Sequence, residues 1–122
     1  MIINLTNHPV SRWEESQSEA AKKLSLDGQL VDHPFPQIDP RMSEEALWDL
    51  ATNYADDFQD KNDLDGVVVQ GEFGFTFLLV YFLRGVIPCY YACSERVVTE
   101  STDSEGKTQK TSVFSFVQFR EY

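Results

Sequence analysis

The chain has 122 residues, 20 of them acidic and 10 basic, for a net charge of −10. This length fits one domain, residues 1–122, and an apolar fraction of 42% is enough for a packed core. The acidic balance argues against a duplex nucleic-acid partner, which needs a basic stripe to neutralise phosphates. It leaves room for a small anion held by backbone amides and one or two arginines. The sequence lacks both a run of about 18 uncharged apolar residues and a basic stretch leading into an apolar one, so neither a membrane span nor a secretory signal is expected.

In chain order, Ile2 to Leu5 (IINL) reads as a short apolar first strand, ended by Thr6, Asn7, His8 and Pro9. Ser11 followed by Glu14 matches a capping box and predicts a helix start there, with Trp13, Ala20, Ala21 and Leu24 as a loose apolar stripe. Asp27-Gly28 stops that helix, and Gln29 to Asp32 forms a brief second strand. His33 to Pro40 holds three prolines in eight residues, a density that neither a helix nor a central strand tolerates, so it is an extended loop. Ser43 is a good N-cap for a second helix, with Glu44 and Glu45 near the positive end of its dipole. Ala46, Leu47, Leu50, Ala51, Tyr54 and Phe58 give that helix one apolar face. Asp60 to Asp65 is a surface loop.

The stretch Asp65 to Ile87 organises the chain. Val67, Val68 and Val69 form a β-branched run suited to a strand covered on both faces. Gln70, Gly71 and Glu72 make a turn, and Phe73 to Leu83 is a helix apolar almost all round, closed by Gly85 and Pro88. Cys89 to Cys93 is the expected fourth strand, ended by Ser94, Glu95 and Arg96. Val97 to Ser101 and Thr111 to Phe119 then read as a hairpin joined by the polar stretch Thr102 to Gln109. The two cysteines, four apart in a strand, lie ~13 Å from each other, too far for a disulfide. Two free thiols fit a reducing, cytoplasmic setting.

The alternation βαβαβαβ followed by a hairpin predicts a three-layer α/β sandwich around a mainly parallel, Rossmann-like sheet. The first strand is expected to be central, because IINL has only Asn4 as a polar member. If the four strands are parallel, the residues following each of them share one edge of the sheet: Thr6, Asn7 and His8; Asp32 and His33; Gln70, Gly71 and Glu72; Ser94, Glu95 and Arg96. Open parallel sheets bind their ligands at that edge. Both histidines of the chain are in this set, and the loops of the opposite edge look like plain connectors.

Several chemistries can be weighed against this cluster. Gly71, Gly74 and Thr76 supply glycines and a hydroxyl near a helix N-terminus but match neither GxxxxGK[ST] nor GxGxxG. Glu72 would repel an anion there unless it met a ribose hydroxyl. His8, His33, Glu72 and Glu95 lack any metal-binding spacing, so neither a metal nor a cofactor is expected. Ser94 lacks a nucleophile elbow, and the cysteines lack the CxxC spacing of redox sites. Arg96 offers a fixed positive charge at the edge, and Arg12 is the other base able to reach it.

On the order of its elements, on Asn7-His8-Pro9 after the first strand, on the glycine turn with Thr76 opening the third helix, and on Ser94-Glu95-Arg96, the chain resembles the small CRISPR-associated Rossmann-fold (CARF-like) proteins. That resemblance implies a cyclic oligoadenylate ligand bound across a two-fold dimer interface and, in some members, ring cleavage. It implies Asn7, Gly71, Thr76, Ser94 and Arg96 as ligand-facing positions. The expected function is thus small-nucleotide binding, with His33 and Glu72 beside those positions and His8 as an acid–base group. The alternative is a non-catalytic interaction module whose acidic surface meets a basic protein. The third helix has no polar face, so beside its own sheet it needs a second wall, a neighbouring helix or a second copy of the chain; a homodimer that buries this helix or the C-terminal hairpin is expected.

Overall fold

The computed structural model describes residues Met1–Tyr122. Five strands, β1 (Ile2–Thr6), β2 (Leu30–Asp32), β3 (Gly66–Gln70), β4 (Cys89–Thr102) and β5 (Thr108–Glu121), form one sheet in the order β2-β1-β3-β4-β5. The first four are parallel, and β5 returns antiparallel to β4. Three α-helices accompany them: α1 (Glu15–Lys23), α2 (Glu44–Gln59) and α3 (Phe73–Leu83). No helix is long and apolar enough to cross a membrane.

The apolar pattern decides which residues face inward. Side chains of a strand alternate between faces, so Ile3, Leu5, Val67, Val69 and Cys89 share one face. There they are buried with Ala51, Ala55 and Phe58 of α2 and Phe75, Leu79 and Leu83 of α3. Ile2, Asn4 and Val68, equally buried, face the other way, and α1 contacts β2 and β5. At β1 and β3 both faces are covered, which explains strands with no alternating polar positions.

The predicted helices α2 and α3 form where their signals lie. Ser43 caps α2, its hydroxyl accepting from Ala46 N at 3.1 Å. The capping box of the first helix does not form. Ser11 lies in a 3₁₀ turn (Val10–Arg12), and α1 begins only after Glu14. The glutamate of the motif is engaged elsewhere: the Glu14 carboxylate accepts from Phe116 N at 2.6 Å, while Val10 N, just before Ser11, donates to Asp32 Oδ1 at 3.0 Å.

Two further expectations are corrected. The first strand is interior but not the middle strand; β3 is, because the β4–β5 hairpin adds two strands on its far side. The fourth strand does not stop at Ser94-Glu95-Arg96. It continues to Thr102, with a bulge between Cys93 and Ser94, as one arm of a long hairpin that turns at Gly106 (φ +81°). Most residues of this arm are exposed, so polar side chains fit either face and do not end the strand.

Candidate functional site

β1 lies between β2 and β3, so the chain leaves β1 to one side for β2 and crosses back to the other for β3. The carboxyl ends of β1 and β3, where Thr6 pairs with Gln70, are therefore the switch point at which open α/β sheets hold ligands. A cavity of about 490 Å³ opens there, lined by the loop after β1, the first turns of the following helical segment, the end of β3 and the bulged part of the hairpin.

Its rim is built by a buried asparagine. Asn4 Nδ2 donates to the His8 carbonyl and to Asp32 Oδ1, both at 2.8 Å, and its Oδ1 accepts from Thr6 Oγ1 at 2.8 Å. Together with the Asp32–Val10 hydrogen bond, this network holds the turn Asn7-His8-Pro9 in one shape. The Asn7 and His8 side chains are left exposed. Asn4 and Asp32 are thus supports of the site.

The cavity's other wall comes from a split in the sheet. β3 and β4 pair only at Val67–Cys89 and Val68–Tyr90. Beyond that point side chains bridge the gap: Gln70 Oε1 accepts from Ala92 N at 2.9 Å, and the Tyr122 hydroxyl donates to the Val69 carbonyl at 2.6 Å. Burial, followed by Cys89 and Tyr91, pushes the Tyr122 phenol up to about 12, so this donor persists through the neutral range. The Glu14–Phe116 contact ties the start of α1 to β5, and Trp13 packs against Phe119 with centroids 6.1 Å apart.

Of the residues singled out from the sequence, Thr6, Asn7, His8, Arg12, Gln70, Gly71 and Ser94 line this cavity. The others are placed differently. His33 lines a neighbouring cavity of about 340 Å³ on the β2 side, its ring edge-on to Tyr54 and Phe58 at 5.7 and 5.5 Å. Glu72 is the N-cap of α3, accepting from Gly74 N at 3.0 Å and Phe75 N at 2.7 Å. That helix terminus is filled by its own carboxylate and is no cradle for phosphate. Thr76 is buried in α3 beside an apolar groove. Arg96 does not line the cavity. It lies on the hairpin, its Nε donating to Ser112 Oγ at 2.6 Å. No group of three or more His, Cys, Asp or Glu side chains is close enough to hold a metal ion.

The lining residues that sequence reasoning did not assign to the site are Trp13, Gln17, Ala92 and Phe114, and Arg12 replaces Arg96 as its base. Trp13 lies in extended backbone just before α1 and Gln17 in its first turn, and the sequence pattern assigns Trp13 to the core stripe. Phe114 arrives only through the hairpin. Together these residues make a concave surface with two aromatic walls, several amides, one imidazole and one guanidinium. No carboxylate lines it, in a chain of net charge −10.

Fold and cavity together define an α/β protein with a mainly parallel five-stranded sheet and a crevice at its switch point. The chain belongs to the Uncharacterized protein MJ1673 family, whose sequence model matches residues 1–120. No curated protein and no solved structure matches it.

Proposed function

We propose that the protein binds a small nucleotide, of the cyclic oligoadenylate class implied by its CARF-like resemblance, in the cavity between the ends of β1 and β3. The observation that carries this reading is the carboxylate-free lining with Arg12 as its single full charge. In so acidic a molecule this lining offers an anion little repulsion. A second carboxylate-free cavity with an arginine, between Phe77, Tyr81, Arg84 and Tyr122, is smaller, about 200 Å³ against 490 Å³, and has no amide side chain. A guanidinium grips phosphate with two parallel hydrogen bonds. Trp13 and Phe114 offer faces for a base, and Asn7, Gln17 and Gln70 offer amides for its edges. A concave pocket beside His8, Gly71 and Ser94 supports this reading over that of a flat acidic face for a basic protein. In this reading the sheet is the middle of a three-layer sandwich, with α1 on one side, α2 and α3 on the other, and the crevice between them. Two free thiols suit a cytoplasmic protein.

His8 gives the same site a route to ring opening. Its imidazole takes the proton of a ribose 2′-hydroxyl as that oxygen bonds to the adjacent phosphorus. The P–O5′ bond breaks, the departing 5′ oxygen takes a proton from water, the hydroxide so formed is neutralised by the proton His8 took up, and the product ends in a 2′,3′-cyclic phosphate. Thermal-shift and calorimetric titration with mono-, di- and cyclic oligonucleotides tests the binding. A cyclic oligoadenylate is expected to raise the melting temperature, Arg12→Ala to weaken it at least ~10-fold, and Arg96→Ala to leave it unchanged. His8→Ala should bind but not open the ring. If no nucleotide shifts the melting temperature at millimolar concentration, the reading fails.

A further inference from the structure

Helix α3 carries a second surface beside the cavity, with Gln70 and Gly71 between the two. Its inner side is in the core, but Phe73, Phe77 and Tyr81, spaced i, i+4, i+8 along one ridge, are 92, 68 and 60% exposed. Phe77 and Tyr81 stack on each other, centroids 6.4 Å apart and planes 18° from parallel. Trp48, edge-on to Phe82 at 4.8 Å, extends the patch on the α2 side. Tyr122 extends it on the other, across grooves lined by Phe77 and Val80. No charged residue occurs between Phe73 and Leu83. The two ends differ in sign: Glu72 precedes the helix and Arg84 follows it, both exposed, and no carboxylate pairs with Arg84 in the chain.

We propose that a second copy of this chain covers this face, the two α3 helices packing antiparallel about a two-fold axis near Phe77. Area, charge and symmetry select this occupant. Aromatic side chains carry roughly 150–250 Å² each, so the exposed parts of Phe73, Phe77, Tyr81, Trp48 and Tyr122 offer about 600 Å² per copy. Two copies bury about 1,200 Å², the lower bound of a stable specific interface. A basic protein finds no carboxylate along this helix, and a membrane surface attracts basic flanks that a chain of net charge −10 does not offer. Glu72 and Arg84 stand ~18 Å apart along the axis. Antiparallel pairing brings each Arg84 towards the partner subunit's Glu72, an isologous and self-complementary contact. The ridge of aromatics at i±4 is the form that interlocks with a copy of itself.

Sedimentation velocity and light scattering between about 1 and 100 µM test the proposal. The parent chain is expected at twice its 14.0 kDa mass. Phe77→Glu should raise the dimer dissociation constant about 30-fold or more, as for an interface hot spot. Arg84→Glu should weaken it less, and the loss should shrink at high salt. Val98→Glu, on the hairpin, should leave the dimer intact. Because Phe77 is mainly exposed, its variant should keep the parent's circular dichroism. Phe77→Cys gives a second reading, with mild oxidation cross-linking two chains through position 77. A monomeric parent at 100 µM, a dimeric Phe77→Glu chain, or a dimer lost only in Val98→Glu overturns the proposal. None of these outcomes depends on nucleotide binding.

Discussion

Gly71 has two competing roles, close approach of a ligand or close packing of the chain, and a single methyl group separates them. A Cβ at Gly71 would overlap three carbons of the Phe35 ring, so the ring lies where a side chain would otherwise be. Phe35 stands edge-on to Phe75 at 5.3 Å, and Phe75, fully buried, stands edge-on to Tyr54 at 5.1 Å. Moving the Phe35 ring therefore disturbs the proline-rich loop and its seat on the core. Overpacking of this kind costs about 1–3 kcal/mol, and the smaller freedom of the unfolded alanine chain offsets about 0.4–1 kcal/mol. A net loss of about 1–2 kcal/mol corresponds to a melting temperature lower by ~4–8 °C for a chain of this length. Thermal unfolding of Gly71→Ala by circular dichroism, without ligand, measures this. Phe35→Leu in the same background should recover part of the loss, giving a non-additive double-mutant cycle. A Gly71→Ala chain that melts within about 1 °C of the parent, or strict additivity with Phe35→Leu, refutes the packing argument.

Three further outcomes follow from the same structure. Asn4→Ala removes a buried side chain and three hydrogen bonds, and should cost about 2–4 kcal/mol in urea unfolding while loosening the turn that carries Asn7 and His8. The Met1 amino group sits 2.6 Å from Asp65 and 3.0 Å from Asp27. Burial opposes its charge, but hydrogen bonds to Asp65 and Asp27 outweigh this and hold its pKa above 8.0; that amine and then Leu26 N hold Asp65 below 3.8. Stability should thus fall as pH drops below about 4 through the lowered Asp65 value, and fall again as pH rises above about 8 through the raised amine value. Acetylating the amine should abolish the alkaline limb of a melting-temperature profile and shrink the acid one, because the charged amine is also the first cause of the lowered Asp65 value. A flat profile in the parent chain would exclude the linkage. Burial, with Glu121 adding to it, pushes the Cys89 thiol up to about 12, so a disulfide reagent at pH 8 should titrate one thiol, Cys93, in the native chain and two after denaturation.

Much of the secondary structure was legible because local chemistry and tertiary demand coincide. The valine run of β3, the uncharged length of α3, and Ser43 before two glutamates each specify one outcome whatever surrounds them. The alternation of strands and helices was enough to imply a mainly parallel sheet and therefore a polar edge, and six of the residues placed there, Thr6, Asn7, His8, Gln70, Gly71 and Ser94, do line the cavity. What local sequence could not decide is which partner a versatile side chain takes. Glu14 had two uses, capping its own helix or meeting Phe116 N, a residue 102 positions away, and only the approach of β5 selects the second. Glu72 and Gly71 look like parts of an anion site. The first is consumed by the free amides of α3 and the second by the Phe35 ring, because the proline-rich loop folds back over the turn. Ser94-Glu95-Arg96 reads as a strand end only if the strand is buried. On a hairpin arm open to water on most of its length, polar residues continue the ladder, so Arg96 is carried away from the edge while Arg12 is brought to it. Patterning along the chain determined the elements and their common edge, and long-range contacts decided which groups at that edge remain free to meet a ligand.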